Sequence, residues 1–310
     1  MCIRDRYVRG SGSDGNGLIY DSLKFGCRDA LLDAGYILAQ TEAHGQNWGN
    51  QASVDDYAAL EKYVRENYNV KAVALWGQSM GGLDTFSVIA QGKVPVVGAL
   101  LTYPACNLAD LYAIGWDSAI DAAYGITGIG NSVYENNTYG MDPMVKPANV
   151  YRDVPMRFYA SYSDTLVPRA QNTDLMAAKV AGTRLEADVV ACSGVHGDPS
   201  HFQPSDYVAF FNRCFAETTR TITLTLVSSG GVPESGASGL KWAFWETALP
   251  GELLAPVDQG TVEATDGSGG LSISVTTRLD SGGTGWLVVT DSDGTTSMVH
   301  KAFSGPVQVS

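Results

Sequence analysis

Apolar and polar positions follow one rhythm along the first two thirds of the chain and another along the last third, with the change near residue 217. In the first part, short apolar runs alternate with amphipathic stretches. Residues 21–34 place Leu23, Cys27, Leu31 and Leu32 at helical spacing, and the run 36–39 reads as a buried strand. Residues 53–68 read as a helix, with Ser53 as N-cap and Asp56 three positions on, as in a capping box. The run 72–76 predicts a strand, 80–91 a helix and 94–101 a strand. Strand, helix and strand repeat over 156–162, 168–181 and 185–192, and 204–215 closes with a helix. This order predicts an α/β architecture, a doubly wound and mostly parallel sheet covered on both faces. Residues 106–150 break the rhythm with Asn107, Gly115, Gly125, Gly128, Gly130, Asn136, Asn137 and Gly140. They predict a cap over the C-terminal edge of the sheet, where such folds bind ligands.

After residue 217 the apolar runs shorten to 221–227, 240–245, 260–265, 271–277, 285–290 and 297–303. Turn signals such as Ser229-Gly230-Gly231, Asp266-Gly267 and Asp293-Gly294 separate them. Short strands at regular spacing predict an all-β sandwich over 217–310. Trp242 and Phe244 fall on one face of their strand and read as core, with a carbohydrate-stacking platform as the alternative.

Composition narrows the function classes. Of 310 residues 45% are hydrophobic and 17% charged, enough to bury a sizeable core. Thirty-three acidic against 20 basic residues give a formal net charge of -13, which argues against nucleic acid or an anionic membrane as partner. No apolar run approaches the ~20 residues of a membrane-spanning helix. Residues 1–17 lack the apolar core of a secretory signal. The cysteines number five and form no CxxC pair, so neither a cysteine zinc site nor a disulfide framework is expected. Residues 1–6 resemble a translated sequencing adapter. They are set aside as a non-native peptide, with the expectation that the natural protein began earlier and had further strands.

The strongest chemical signal is Gly77-Gln78-Ser79-Met80-Gly81-Gly82. It is a G-x-S-x-G pattern lying directly after an apolar strand and directly before a helix. A sharp turn there lifts the serine hydroxyl above the sheet edge, at the positive end of the next helix. A serine at its ordinary pKa is a weak nucleophile and needs a base, which in turn needs an orienting acid. Only four histidines exist: His44, His196, His201 and His300.

On these residues the stretch from about Tyr7 to Phe215 resembles the α/β-hydrolase superfamily, whose chain order is serine, acid, histidine. The resemblance implies Ser79 as nucleophile. It implies Asp164 as acid, in a loop after a strand that matches the family's D-x-x-V-P pattern; Asp153 and Asp174 fit less well. It implies His196 as base, in the loop between the last strand and last helix, with His201 as the weaker alternative. His44 lies in a glycine-rich turn and reads as structural, and His300 as a surface residue. The family's oxyanion donors map to the N–H groups of Met80 and Ser11. Ser11 lies in Arg9-Gly10-Ser11-Gly12, where Arg9 replaces the usual histidine. A phosphate loop is not supported over residues 10–15, because no lysine stands there. The tail resembles small β-domains of phage virion proteins.

The expectation is a serine hydrolase of carboxylic esters that needs no cofactor and no metal. Its substrate is a small-molecule or surface-polysaccharide ester, and residues 217–310 attach it to a virion or cell surface. Two alternatives remain, a prolyl-oligopeptidase-like serine peptidase with the same three residues and a catalytically inert virion or binding protein.

Overall fold

The apolar runs of the first part become the strands of one parallel sheet. In the computed structural model these are β1 (Asp5–Val8), β2 (Leu38–Ala39), β3 (Val73–Gln78), β4 (Val96–Thr102), β5 (Met156–Ala160) and β6 (Ala187–Ala191). Their spatial order is β2-β1-β3-β4-β5-β6, every neighbouring pair parallel. The structure describes residues 5–8, 16–70, 72–127, 131–138, 140–151, 154–181, 187–225, 236, 238–245, 258–262, 265–277, 284–290 and 296–302. The chain divides into two units, Met1–Phe215 and Ala216–Ser310. Asp5 and Arg6, set aside in the sequence reading, lie in β1 opposite Leu38 and Ala39.

Seven of the helices are α1 (Gly17–Tyr20), α2 (Ser22–Asp33), α3 (Gln51–Asn67), α4 (Gly81–Gln91), α5 (Leu108–Leu111), α6 (Asp117–Tyr124) and α7 (Asn131–Thr138). The last two of this unit are α8 (Thr173–Val180) and α9 (Pro204–Cys214). Strand side chains alternate between faces, and the two faces feed two cores. Val73, Leu75, Ala99, Leu101, Met156 and Phe158 pack with Val54 and Tyr57 of α3, Phe86 of α4 and Met176 of α8. Ala74, Trp76, Leu100 and Tyr159 point the other way, onto Cys27 and Leu31 of α2 and Tyr207 and Phe210 of α9. Near-continuous apolar strands are the sequence signature of a sheet buried on both sides.

Two local expectations are corrected. Helix α3 starts a turn early, and its N-cap is Asn50, whose side chain accepts from Ser53 N at 3.1 Å. Asn caps as well as Ser. Ser53 is thereby released to donate its hydroxyl to the buried Asp84 carboxylate of α4 at 2.6 Å. The helix expected from 168 begins only at Thr173, because residues 165–172 form successive turns.

Residues 106–150 carry α5, a π-helical turn at Tyr112–Trp116 that Gly115 breaks with φ +112°, then α6 and α7. Leu108, Leu111 and Ile120 of this excursion pack with Met80 and Leu83 at the start of α4, with Trp48 and with Val167. The excursion is tied down by buried polar groups. Asn172 Oδ1 accepts from Cys106 N and Asn107 N at 2.9 and 3.0 Å. Asp142 accepts from Ala109 N and Met144 N, and burial raises its pKa.

In the second unit β7 (Thr218–Thr225) pairs antiparallel with β10 (Gly270–Thr277). A four-stranded antiparallel sheet has the order β12-β11-β8-β9, with β8 (Lys241–Trp245), β9 (Asp258–Thr261), β11 (Thr284–Thr290) and β12 (Thr296–Ala302). Strand β10 alternates buried Leu271, Ile273 and Val275 with exposed Ser272, Ser274 and Thr276. These residues share one apolar cluster with Ile222, Phe244, Leu287 and Val289, so both sheets contribute to it. Trp242 packs at its margin, while His300 lies on β12 opposite Trp286.

Candidate active site

The turn from β3 to α4 is sharp because the residues around it leave no room for side chains. A Cβ on Gly77 would sit 2.4 Å from Thr85 Oγ1, and one on Gly82 would sit 2.5 Å from the Ala105 carbonyl oxygen. Ser79, between them, has φ +51°. A non-glycine residue there is strained by about 1–3 kcal/mol and persists only where its surroundings enforce it. Those surroundings are three backbone bonds: Ser79 N donates to Thr102 O at 3.0 Å, and Ser79 O accepts from Gly82 N and Ala105 N, each at 2.8 Å. Met80 follows, its side chain buried and its N–H without an acceptor among the described residues.

Three residues distant in sequence meet at this turn. Ser79 Oγ lies 2.9 Å from His196 Nε2, and His196 Nδ1 lies 2.7 Å from Asp164 Oδ2. An ionised carboxylate only accepts, so the Nδ1 proton faces Asp164 and Nε2 is the acceptor for the serine O–H. Asp164 is only 4% exposed, and its other oxygen accepts from Leu166 N and Val167 N, both at 3.0 Å. One carboxylate thus shapes its own loop and orients the imidazole.

The remaining sequence candidates lie elsewhere. His201 is fully buried and directs Nδ1 to the Asp198 carbonyl at 2.9 Å, not to Ser79. Burial lowers its pKa. Asp198 spends its side chain on Ser200 N, a bond that holds its pKa low. Asp174 pairs with Arg169 and accepts from Tyr162 OH. His44 pairs with Asp56 at the surface. Asp153 and Ser11 lie outside the described residues, as does the 9–15 loop expected to supply the second oxyanion donor.

Two features escaped the sequence reading. Tyr103, just past β4, is buried with φ +37°, and its ring centroid is 4.4 Å from that of His196. Its position at the C-terminal end of a central strand was the signal that could have marked it. The second is an open cleft of about 220 Å³ lined by Ile114, Gly115, Trp116, Thr165 and Leu166. It lies between the π-helical turn and the loop that begins with Asp164. Trp116 donates its indole N–H to Leu166 O at 3.3 Å and packs 5.2 Å from Trp48, which belongs to the same cluster as Met80. Among the described residues no group of three His, Cys, Asp or Glu side chains is placed to hold a metal ion, and no helix is long and apolar enough to cross a membrane.

No protein-family model matches the chain, and no curated protein does. Solved structures do match. FphF, the fluorophosphonate-binding serine hydrolase F of Staphylococcus aureus, is 14% identical with a TM-score of 0.52, over 67% of this chain and 82% of its own. A bifunctional GH43-CE protein of Bacteroides eggerthii is 16% identical with a TM-score of 0.55, over 69% of this chain and 31% of its own. A puromycin-hydrolyzing peptidase of Mycobacterium tuberculosis is 16% identical with a TM-score of 0.53, over 69% and 35%. This chain therefore spans about a third of the length of the last two. At such identities the likeness is one of fold, and the parallel sheet flanked by helices fits the α/β-hydrolase type.

Proposed function

We propose that the first unit is a serine hydrolase that cleaves carboxylic esters through an acyl-enzyme, with Ser79 as nucleophile, His196 as base and Asp164 as orienting acid. The observation that carries this reading is the run of contacts from Ser79 Oγ through His196 to Asp164, at 2.9 and 2.7 Å, on a serine held at φ +51°. In the first step Ser79 Oγ bonds to the acyl carbon while its proton passes to His196 Nε2, and the carbonyl electron pair moves onto oxygen. The Met80 N–H stabilises that oxyanion, and the Ser11 N–H is proposed as the second donor from sequence alone. One such donor is worth ~2.7–4 kcal/mol in the best measured case. Collapse expels the alcohol, which takes the proton from His196. Water then gives a proton to His196 Nε2 as its oxygen bonds to the acyl carbon, and collapse breaks the bond to Ser79 Oγ, which takes that proton back as the acid leaves.

The cleft beside the acid loop has Ile114, Trp116 and Leu166 as its main walls and no charged side chain. At about 220 Å³ it exceeds the ~150 Å³ that holds benzene in an engineered cavity. That favours a neutral acyl or alcohol group over a charged one. An acetylated surface polysaccharide is the finer substrate reading. The fold likeness to a puromycin-hydrolyzing peptidase supports a second reading, amide cleavage by the same three residues.

The test is hydrolysis of p-nitrophenyl acetate, butyrate and octanoate by the chain and by Ser79→Ala, with matched p-nitroanilides and acetylated xylan alongside. Ester cleavage that vanishes in Ser79→Ala supports the proposal, and the chain-length profile sizes the acyl pocket. Anilide cleavage at a comparable rate moves the assignment to a peptidase. Equal background rates from two well-folded proteins would sink both readings.

A further inference from the structure

We propose that Tyr103 is a positioning residue that fixes the plane of the His196 imidazole; this rests on the reading of His196 as the base. Ser79 and Asp164 engage the two ring nitrogens of His196. Two such bonds define a line through the ring but leave rotation about that line open. A third contact, away from the line, is needed to set the plane. The Tyr103 ring supplies it at 4.4 Å with an interplanar angle of 61°. His196 gains little from its own loop, since neighbouring Val195 is 63% exposed and Gly197 has φ +81°.

Tyr103 is suited to the task because it is itself immobilised. Its backbone N–H donates to Tyr159 O at 2.7 Å. Its hydroxyl is hydrogen-bonded by the Gln78 side-chain amide, and Gln78 immediately precedes Ser79. One side chain therefore bridges the nucleophile's turn and the base. Behind it stand His201 at 5.0 Å and Phe202 at 6.0 Å, nearly perpendicular to its ring. That backing is anchored in turn. Tyr207 OH donates to His201 O at 2.7 Å and meets Thr102 Oγ1 at 2.9 Å, while Thr102 Oγ1 accepts from Trp76 Nε1. Burial favours the neutral form of His201, so the stack adds no second cation beside His196 when it takes a proton. The strained φ of +37° has a use here, since it aims a large ring where glycine would place none.

The experiment compares Tyr103→Phe, Tyr103→Leu and Tyr103→Met in the full chain. Thermal melting selects the folded variants. Two quantities are read: kcat and KM on p-nitrophenyl acetate, and the low-field proton resonance of His196 Nδ1–H against Asp164. Tyr103→Phe keeps the ring and is expected to stay within about 3-fold in kcat. Tyr103→Leu is expected to lose about 10-fold or more in kcat at nearly constant KM, because misplacing a catalytic group by ~1 Å can cost 10²-fold. Its low-field resonance should broaden or vanish. Tyr103→Met fills similar volume and stands in if Leu does not fold.

A folded Leu or Met variant with wild-type kcat and resonance overturns the proposal. So does a Phe variant as damaged as Leu, or a loss confined to KM. If neither variant folds, Overhauser contacts between the Tyr103 and His196 rings in the wild-type chain decide it, and their absence overturns it. Should the wild-type chain prove inactive, the resonance and these contacts still test Tyr103, while the enzymatic reading fails on its own.

Discussion

The two units of this chain tolerate strain very differently. Among the described residues, all non-glycine positions with positive φ fall in the first unit: Ala43, His44, Trp48, Ser79 and Tyr103. The same unit buries Lys24, Asn47, Asp84, Asp142, Asp164 and His201. The described part of the second unit buries only Thr265 and Thr277 among polar residues. Its strand β10 follows simple alternation, apolar inward and polar outward. Each strained residue costs ~1–3 kcal/mol, and each buried polar group must find a partner. A unit that keeps such features is spending stability on geometry. Two of the strained residues, Ser79 and Tyr103, stand at the meeting point of the three proposed catalytic groups.

The sharpest test of this contrast is Ser79→Ala. It should lower kcat on p-nitrophenyl acetate by ~10⁴ or more, as expected when a unit of interdependent catalytic groups loses its nucleophile. Relief of strain by alanine is not expected, since it also dislikes positive φ. Next in size is Asp164→Asn, which preserves shape but offers the imidazole the wrong hydrogen-bonding partner. Its kcat should drop by ~10³–10⁴. Retained activity in either variant would remove the functional reason for the strain.

In the second unit Phe244 is fully buried, and Phe244→Ala should destabilise that unit by ~3–5 kcal/mol. Ester hydrolysis should be unchanged at temperatures where the first unit stays folded. Loss of activity together with the second unit's melting transition would break the division of labour drawn above.

A smaller effect should come from pH. His201 has a lowered pKa in the folded chain because it is buried. The unfolded chain, with histidine near its ordinary ~6.5, binds more protons as pH falls through that range. The contribution of His201 to stability is therefore fully present above about pH 6.5 and declines below it, by at most ~1.4 kcal/mol per pH unit for one proton. Melting temperatures of wild type and His201→Leu between pH 7 and 5 should show a flatter slope in the variant; equal slopes would contradict it. The smallest effect is at a helix end, where Asn50→Ala should cost the first unit ~1 kcal/mol in urea unfolding with no change in kcat.

Much of the first unit was legible before any coordinates. Alternating strand and helix periods placed β3, β4, β5, α4 and α9 within a few residues, because apolar spacing follows directly from which faces are buried. Ser79 was nameable from a local pattern at a strand end, and Asp164 and His196, with His201 as the alternative, from the family resemblance which that pattern carries. The helix cap at Asn50 was missed because two good capping residues lie three apart and local preference does not choose between them. Ser53 was claimed instead by Asp84, 31 positions away, and nothing in the local pattern reveals that bond.

The sequence by itself determined the order of elements, the two-part division of the pattern and the candidate nucleophile, since each depends on short-range periodicity or turn chemistry, while the candidate acid and base came from the family resemblance that the nucleophile's pattern carries. Only the tertiary structure decided that His196 rather than His201 faces Ser79, that Tyr103 stands against that imidazole, and that the 106–150 excursion forms a cleft wall beside Asp164. These are contacts between residues far apart in the chain. They depend on the registers of β3 against β4 and of β4 against β5 and on the packing of α9, which bring distant strand ends to one edge. Such contacts are set by the summed packing of two apolar cores, a quantity that no single stretch of sequence contains.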